Sequence, residues 1–490
     1  MTDQNPASLD PADWEAFRRV AHAAVDDAIA RFRGLPDAPV WRVPTDAARA
    51  AFTGPAPRNG RALAEVYEAV KRDVLPWSMG NQNPRFWGWY MGAGHPGGVL
   101  GDFLAGVDGT NCGGGDTSAA WMERQVLRWL AGICGLPEDA GGVLTSSGSM
   151  ANFTGLAVAR TKQAGVDVRT EGVGAIPQPL RFYASKEAHS CVAKALEALG
   201  HGKAALGLVP SGADLAMDLG ALARMVAQDR AAGWKPACVV GTAGATNSGA
   251  IDDLRGIAEL CRREGLWFHV DGCVGAVLKL SPSHAGLVDG LEEADSVALD
   301  LHKWLQVPFG VGAVLVRDRQ AHRDTFAAHP DYLTEKTRGL ANGEFLADYT
   351  MDLSRGFSAL KVWMSFMEHG TEKLGAMIDQ TIALARHACA RISSEPDLEA
   401  LAPAPINVVC FRFRGDRPDD AALGALNHEI MLSLQEDGTA VLSDTQIGGR
   451  LALRIAISNH RTRAKDIDHV LGEVVQRGRA GSPAAGGLGR

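Results

Sequence analysis

None of the eight cysteines stands in a C-x-x-C pair, so neither a zinc nor a dithiol site is expected, and no metal enters the reading. No apolar run reaches the roughly 18 residues that a bilayer span requires. The opening stretch, MTDQNPASLDPADWEAFRR, is polar and lacks the apolar core of a signal peptide. These absences describe a cytoplasmic chain with reduced thiols and no membrane partner. A basic run is also missing: 49 Lys and Arg face 57 Asp and Glu, a net charge of -8. That balance argues against a nucleic-acid partner. Aromatic residues make up 6% of the chain, a figure that decides nothing about what the protein binds. What is present is a globular composition, 46% hydrophobic and 22% charged over 490 residues, long enough for one large domain with smaller attachments. Many of the 57 glycines sit in turns beside apolar runs, as suits an α/β enzyme whose backbone approaches a ligand closely.

Residues from about Asp10 to Val74 carry apolar positions at helical spacing, as in WEAFRRVAHAAVDDAIARFR, broken by the Pro/Gly-rich GLPDAPVWRVP. From about residue 120 to 320, helices alternate with short apolar strands. LRFYAS, ACVVGTAG, LWFHVDG and DSVALDLH read as strands, with GAVLVRD as the returning partner of the last. This alternation predicts a largely parallel sheet covered on both faces, with ligands at the carboxyl ends of its strands. A long helix, SALKVWMSFMEHGTEKLGAMIDQTIALARHACARI, then leads into a small α+β unit holding INVVCFRFRG and RLALRIAISN. The expected organisation is an N-terminal helical segment (1–88), a large domain (89–384), a small domain (385–476) and a disordered tail (477–490).

Five motifs carry chemistry. Asp300 to Trp304, DLHKW, puts Lys303 at the mouth of a strand, where partial desolvation is expected to lower its pKa and free its amine for Schiff-base chemistry. His269 to Asp271, HVD, ends another strand, and Asp271 at that edge can pair with a protonated ring nitrogen; otherwise it is a loop or capping aspartate. Thr145 to Asn152, TSSGSMAN, opens a helix, so Gly148 and Ser149 present free N–H groups to an anion such as phosphate. An ordinary Ser-capped helix reads the same way. His189 starts a further helix and can stack on a ring or move protons, or simply cap the helix. Thr246 follows ACVVGT and offers a hydroxyl, as any turn threonine does. Taken together, these sites follow one another at the ends of successive strands of one sheet.

In HVDGCVGAVL, ADSVALDLHKWLQVPFGVGAVLVRD, AHSCVAKA and RIAISNHRTRAKDID, from about Asn83 to Asp468, the chain resembles the group II pyridoxal-phosphate decarboxylases. That family includes the aromatic L-amino-acid, histidine and glutamate decarboxylases. The resemblance implies a fold type I, pyridoxal-phosphate-dependent transferase-like architecture and decarboxylation of an L-amino acid, aromatic or related, to an amine and CO2. By it, Lys303 carries pyridoxal 5'-phosphate, Asp271 pairs with the pyridine nitrogen and His189 stacks on the ring. Thr246 and His302 become cofactor contacts, and Gly148 and Ser149 lie near the phosphate. Tyr332, in AAHPDYLTEK, becomes the proton donor on a mobile loop, with phenylalanine at that place linked to aldehyde formation. The family builds its active sites across a homodimer, which makes the N-terminal helices a dimerisation segment.

The substrate-pocket candidates are Trp87, Asn111 and Ser354. Here the chain departs from the aromatic decarboxylases: GVDGTNCGGGD has Asn111 and glycines where an aromatic residue is usual, and Ser354 leans toward a smaller or more polar side chain than indole. Two alternatives share the cofactor chemistry, oxidative deamination to an aldehyde and carbon–carbon lysis. A third, of another class, is a non-catalytic binding protein on the same fold. The substrate itself is not named by these residues.

Overall fold

The computed structural model describes residues 8–328, 336–415 and 419–481. Among them, a seven-stranded sheet is ordered β1-β7-β6-β5-β4-β2-β3. Its strands are β1 (Gly141–Thr145), β2 (Leu180–Ser185), β3 (Leu206–Val209), β4 (Lys235–Thr242), β5 (Trp267–Asp271), β6 (Ser296–Asp300) and β7 (Gly312–Val316). Neighbours from β6 through β3 pair in parallel, while β7 runs antiparallel to both β6 and β1. Every residue of β5, β6 and β7 is buried, as befits strands covered on both faces, which read as continuous apolar runs. GAVLVRD does return beside DSVALD. The strands GGVLT and LGLV were not anticipated: each is short and has little β-branched or aromatic signal to mark it.

Helix starts face the carboxyl ends of the strands. Ser147 caps the Gly148–Ala164 helix, its side chain accepting from Met150 N, and Asp253 does the same for Leu254–Glu264 through Gly256 N. Gly312 pairs with both Asp300 and Thr145. A Cβ there would come within 2.7 Å of the Ser147 carbonyl carbon and 2.9 Å of Gly148 N, so glycine lets the capped helix start close onto β7.

The long helix runs Ser358–Ser394 and breaks at Gly370, where φ is 67° and ψ 165°; an L side chain is strained at that φ. Its far end, through Ala385, Ala388 and Ile392, joins the core of a second, four-stranded sheet. That sheet is ordered β10-β11-β9-β8, from β8 (Leu398–Ala400), β9 (Val408–Phe413), β10 (Ser443–Ile447) and β11 (Arg450–Ala456). One expectation fails at the end of the chain. The last helix, Ala464–Ala480, continues past 477, because Val474, Val475 and Gly478 are buried and hold the final turns.

At the other end, the helices Trp14–Gly34 and Leu63–Asp73 bury no residue. Trp14, Phe17 and Ile29 of the first are exposed, as are Leu100, Phe103 and Val107 of the helix Pro96–Asp108. Among the described residues, no helix is long and apolar enough to cross a membrane.

Candidate active site

A cleft of about 370 Å3 opens at the carboxyl ends of the parallel strands. Gly148, Ser149, His189, Thr246, Asp271 and Lys303 all line it, so the structure gathers most of the sequence-predicted residues in one place. Lys303 follows β6 and its Nζ lies 3.3 Å from Asp300 Oδ2. Asp271 ends β5 and is buried, with Oδ1 accepting the Cys273 N–H at 3.2 Å. Behind it, on the same face of the strand, buried His269 is fixed at both ring nitrogens, 2.9 Å from Asn152 Oδ1 and 2.8 Å from Ser296 Oγ.

The electrostatics correct one expectation. Burial does oppose a charged Lys303, but its pKa is raised, because Cys273, Asp300 and Asp271 together outweigh that burial. The Cys273 thiol is itself pushed well above its ordinary range by burial. The resting amine is therefore an ammonium ion, not the free base expected from desolvation alone. His189 moves the other way: burial lowers its pKa, opposed by Asp271 and reinforced by Lys303. A neutral imidazole results, suited to lying against a ring.

Other predicted residues fall elsewhere. His302 is buried beside the cleft but does not line it; its Nδ1 sits 3.0 Å from Val311 O and its ring packs 4.2 Å from that of Phe309. Its Nδ1 also lies 2.6 Å from Asp300 Oδ1, though out of line for a hydrogen bond, and among the described residues that oxygen has no hydrogen-bond partner. Trp87 is not a pocket residue in this chain. It is fully buried in the core of the small domain, its Nε1 donating to Thr462 Oγ1 at 3.2 Å. Asn111 and Ser354 are exposed neighbours away from the cleft, joined where Asn111 Oδ1 accepts Arg355 N–H at 2.9 Å. Tyr332 lies outside the described residues.

The cleft also holds residues that the sequence reading left unassigned: Asn152, Cys191, Thr242, Cys273 and Asp300. Signals for three of them were present. Asp300 stands three residues before Lys303, and Cys191 and Cys273 stand two after His189 and Asp271. Asn152 donates to Gly148 O at 3.0 Å and ties the phosphate-type helix start to His269.

This donor set suits pyridoxal phosphate on structural grounds. A Cβ on Gly148 would meet Cys273 Sγ at 2.4 Å and Asp300 Oδ2 at 2.9 Å, so the helix N-terminus reaches the cleft floor only as glycine. Thr242 Oγ1 is buried in the lining and has no hydrogen-bond partner among the described residues. An amine for a carbonyl, a carboxylate for a pyridinium, a neutral imidazole and a helix N-terminus for a phosphate converge on one volume.

Comparison with known proteins agrees. Residues 46–414 match the pyridoxal-dependent decarboxylase conserved domain. The chain belongs to that family. It is 31% identical to an aromatic-L-amino-acid decarboxylase of Bacillus atrophaeus, covering 93% of this chain and 94% of that one. It is 28% identical to a phenylacetaldehyde synthase of Arabidopsis thaliana, over 94% and 95% of the two chains. Among solved structures, mouse CSAD superposes with a TM-score of 0.87 at 26% identity, over 95% and 98%. Oryza sativa TDC, solved with pyridoxal phosphate and tryptamine, gives a TM-score of 0.89 at 24% identity, over 96% and 99%, and so shares the fold. The family member described here is a pyridoxal-phosphate-dependent carboxy-lyase with a fold type I architecture.

Replacing Asp300 with asparagine removes one of the groups that raise the Lys303 pKa. In the Asp300→Asn apo-protein, the rate of covalent capture of added pyridoxal phosphate, followed by absorbance, is expected to reach half-maximum at a lower pH than in the wild type. An unchanged or higher midpoint contradicts the assigned electrostatics.

Proposed function

We propose that the protein decarboxylates an L-amino acid, aromatic or related, releasing the corresponding amine and CO2. The observation that carries this reading is the convergence of Lys303, Asp271 and His189 on one cleft in a member of this family. The similarity to an aromatic-L-amino-acid decarboxylase over nearly the whole chain supports the substrate class.

When bound, pyridoxal phosphate supplies the electron sink for the charge left by departing CO2. The chain's residues take the remaining roles. Lys303 would hold the cofactor through its amine, and the cofactor would supply the carbonyl chemistry toward the substrate amine. Asp271, kept in place by the Cys273 N–H, keeps a proton on the pyridine nitrogen. Gly148 and Ser149, with the helix dipole behind them, bind the phosphate. His189 would lie against the ring, with Thr246 as a polar contact. Tyr332 delivers the proton to the substrate carbon, with His189 as the other donor within the cleft.

The same reading makes the protein a homodimer. The helices that bury nothing, and the exposed apolar residues of Pro96–Asp108, need a cover that one chain does not provide. Asn111 and Ser354, both exposed, then contribute to the partner subunit's pocket. A second reading, oxidative conversion to an aldehyde, is favoured by the similarity to a phenylacetaldehyde synthase.

An amino-acid panel with cofactor-loaded enzyme, reading CO2, amine and peroxide together, tests the proposal. Stoichiometric amine and CO2 from one substrate is expected, and Lys303→Ala is expected to abolish both. Aldehyde with peroxide would move the assignment to the oxidative branch, and silence across the panel would leave a non-catalytic protein. In Tyr332→Phe, amine release is expected to fall and aldehyde or peroxide to rise; an unchanged product ratio rejects Tyr332 as the donor. Sedimentation is expected at twice the 51.8 kDa chain mass, and a stable, active monomer would contradict the shared site.

A further inference from the structure

Away from the cleft, three ligand-type side chains meet where the start of the Pro96–Asp108 helix touches the Ser358–Ser394 helix. His95 is the buried N-cap of the first. Glu368 and His369 directly precede the break of the second at Gly370. His95 Nδ1 is 3.3 Å from His369 Nε2 and 3.6 Å from Glu368 Oε2. The third side of the triangle, His369 Nε2 to Glu368 Oε2, is 3.8 Å. Tetrahedral zinc with bonds of about 2.0–2.1 Å sets its ligand atoms about 3.3 Å apart. The three atoms thus already approximate one face of such a tetrahedron.

The surrounding hydrogen bonds fix the chemistry of His95. Ser365 Oγ donates its proton to Lys361 O at 2.7 Å, so it accepts from His95 Nε2–H, also at 2.7 Å. Nδ1 is then a bare lone pair facing Glu368 and His369. A remote ring N–H tied to a fixed acceptor is the arrangement that orients metal-bound histidines. Gly97 contributes by what it lacks: a Cβ there would lie 1.8 Å from Glu368 Oε2 and would turn the half-exposed carboxylate out of this position.

Without a metal, the Nδ1 lone pair is used locally. Gly98 N–H approaches it at 3.3 Å, and His369 Nε2–H points to it because Lys373 Nζ, 3.3 Å from His369 Nδ1, can only donate there. For a metal to enter, the exposed Lys373 swings away and the His369 proton passes to Nδ1, leaving Nε2 free to coordinate. Two neutral imidazoles and one carboxylate then bind the ion, with water in the fourth position.

We propose that His95, Glu368 and His369 form a site for a divalent transition-metal ion of the zinc class, which clamps the two helices together. The site borders the reaction centre. Ala93 N–H donates to Gln306 Oε1 at 2.9 Å, and Gly92 packs against the carbonyls of His302 and Lys303 so closely that a Cβ would overlap them. Occupancy stiffens this segment beside Lys303 and takes no part in the chemistry itself.

Cobalt(II) is the probe, since it enters zinc-type sites and its visible bands distinguish tetrahedral nitrogen and oxygen ligation from thiolate ligation. Chelator-treated, cofactor-loaded enzyme is expected to bind one cobalt per chain with tetrahedral, thiolate-free bands. Affinity is expected to fall at least about tenfold in His369→Ala and Glu368→Gln, and to rise severalfold in Lys373→Met. Saturating zinc is expected to raise the thermal midpoint of the wild type but not of His369→Ala, because only a site present in the folded chain stabilises it. Failure of the wild type to bind stoichiometrically, or equal binding by His369→Ala, overturns the proposal.

Discussion

The amine of Lys303 shares one cleft with the carboxylates at the ends of two adjacent strands, and both of them favour its charged form. Asp300 closes β6 and Asp271 closes β5, in parallel register with Asp271 opposite Ala298. A slip of one residue would turn Asp271 to the other face of the sheet and leave the amine with a single acidic neighbour. Burial alone would push the ammonium toward the neutral form; Cys273, Asp300 and Asp271 together reverse that sign. The cleft thus stores a charged lysine until a carbonyl compound reacts with it, and its acid–base behaviour is a consequence of sheet register.

Beneath Asp271 the register is locked by a buried polar chain. Trp267 Nε1 donates to Ser296 Oγ at 2.8 Å, that hydroxyl meets His269 Nδ1, and His269 Nε2 meets Asn152. Burial holds His269 near a pKa of about 4, so the ring stays neutral and the chain carries no charge that would compete with Asp271. Asn152 in turn bonds Gly148 O. One network therefore fixes both the carboxylate end and the helix-start end of the cleft, and a buried network of this kind holds its shape only when its members are satisfied.

Much of this was legible from the chain because it is local. Strand alternation identified β2, β4, β5, β6 and the returning β7, and the motif residues at their ends lie within a few positions of the apolar runs that form the strands. What was not legible depends on distant pairings. Trp87 reads as a pocket aromatic but is buried against Thr462, 375 positions away. The sign of the Lys303 shift required knowing that Asp271, on another strand, faces the same amine. The His95, Glu368 and His369 cluster joins segments 274 positions apart, beyond the reach of any ligand-spacing rule.

The second sheet bears on the cleft through the turn that carries Thr246. Arg454 of β11 is buried, and among the described residues no carboxylate pairs with it. Its Nη2 donates to Thr246 O, its Nε to Asn247 O at 3.2 Å and its Nη1 to Ser443 Oγ at 2.9 Å. Cys410 Sγ adds a second donor to Asn247 O at 3.1 Å. Burial lowers the Arg454 pKa only to about 10, so the guanidinium stays charged near pH 7 and is solvated by backbone carbonyls in place of water. A charge in that position fixes the turn that carries Thr246, since moving the turn would strand the cation. The geometry of the loop that carries Thr246 is thus tied to a side chain of the second sheet roughly two hundred residues later.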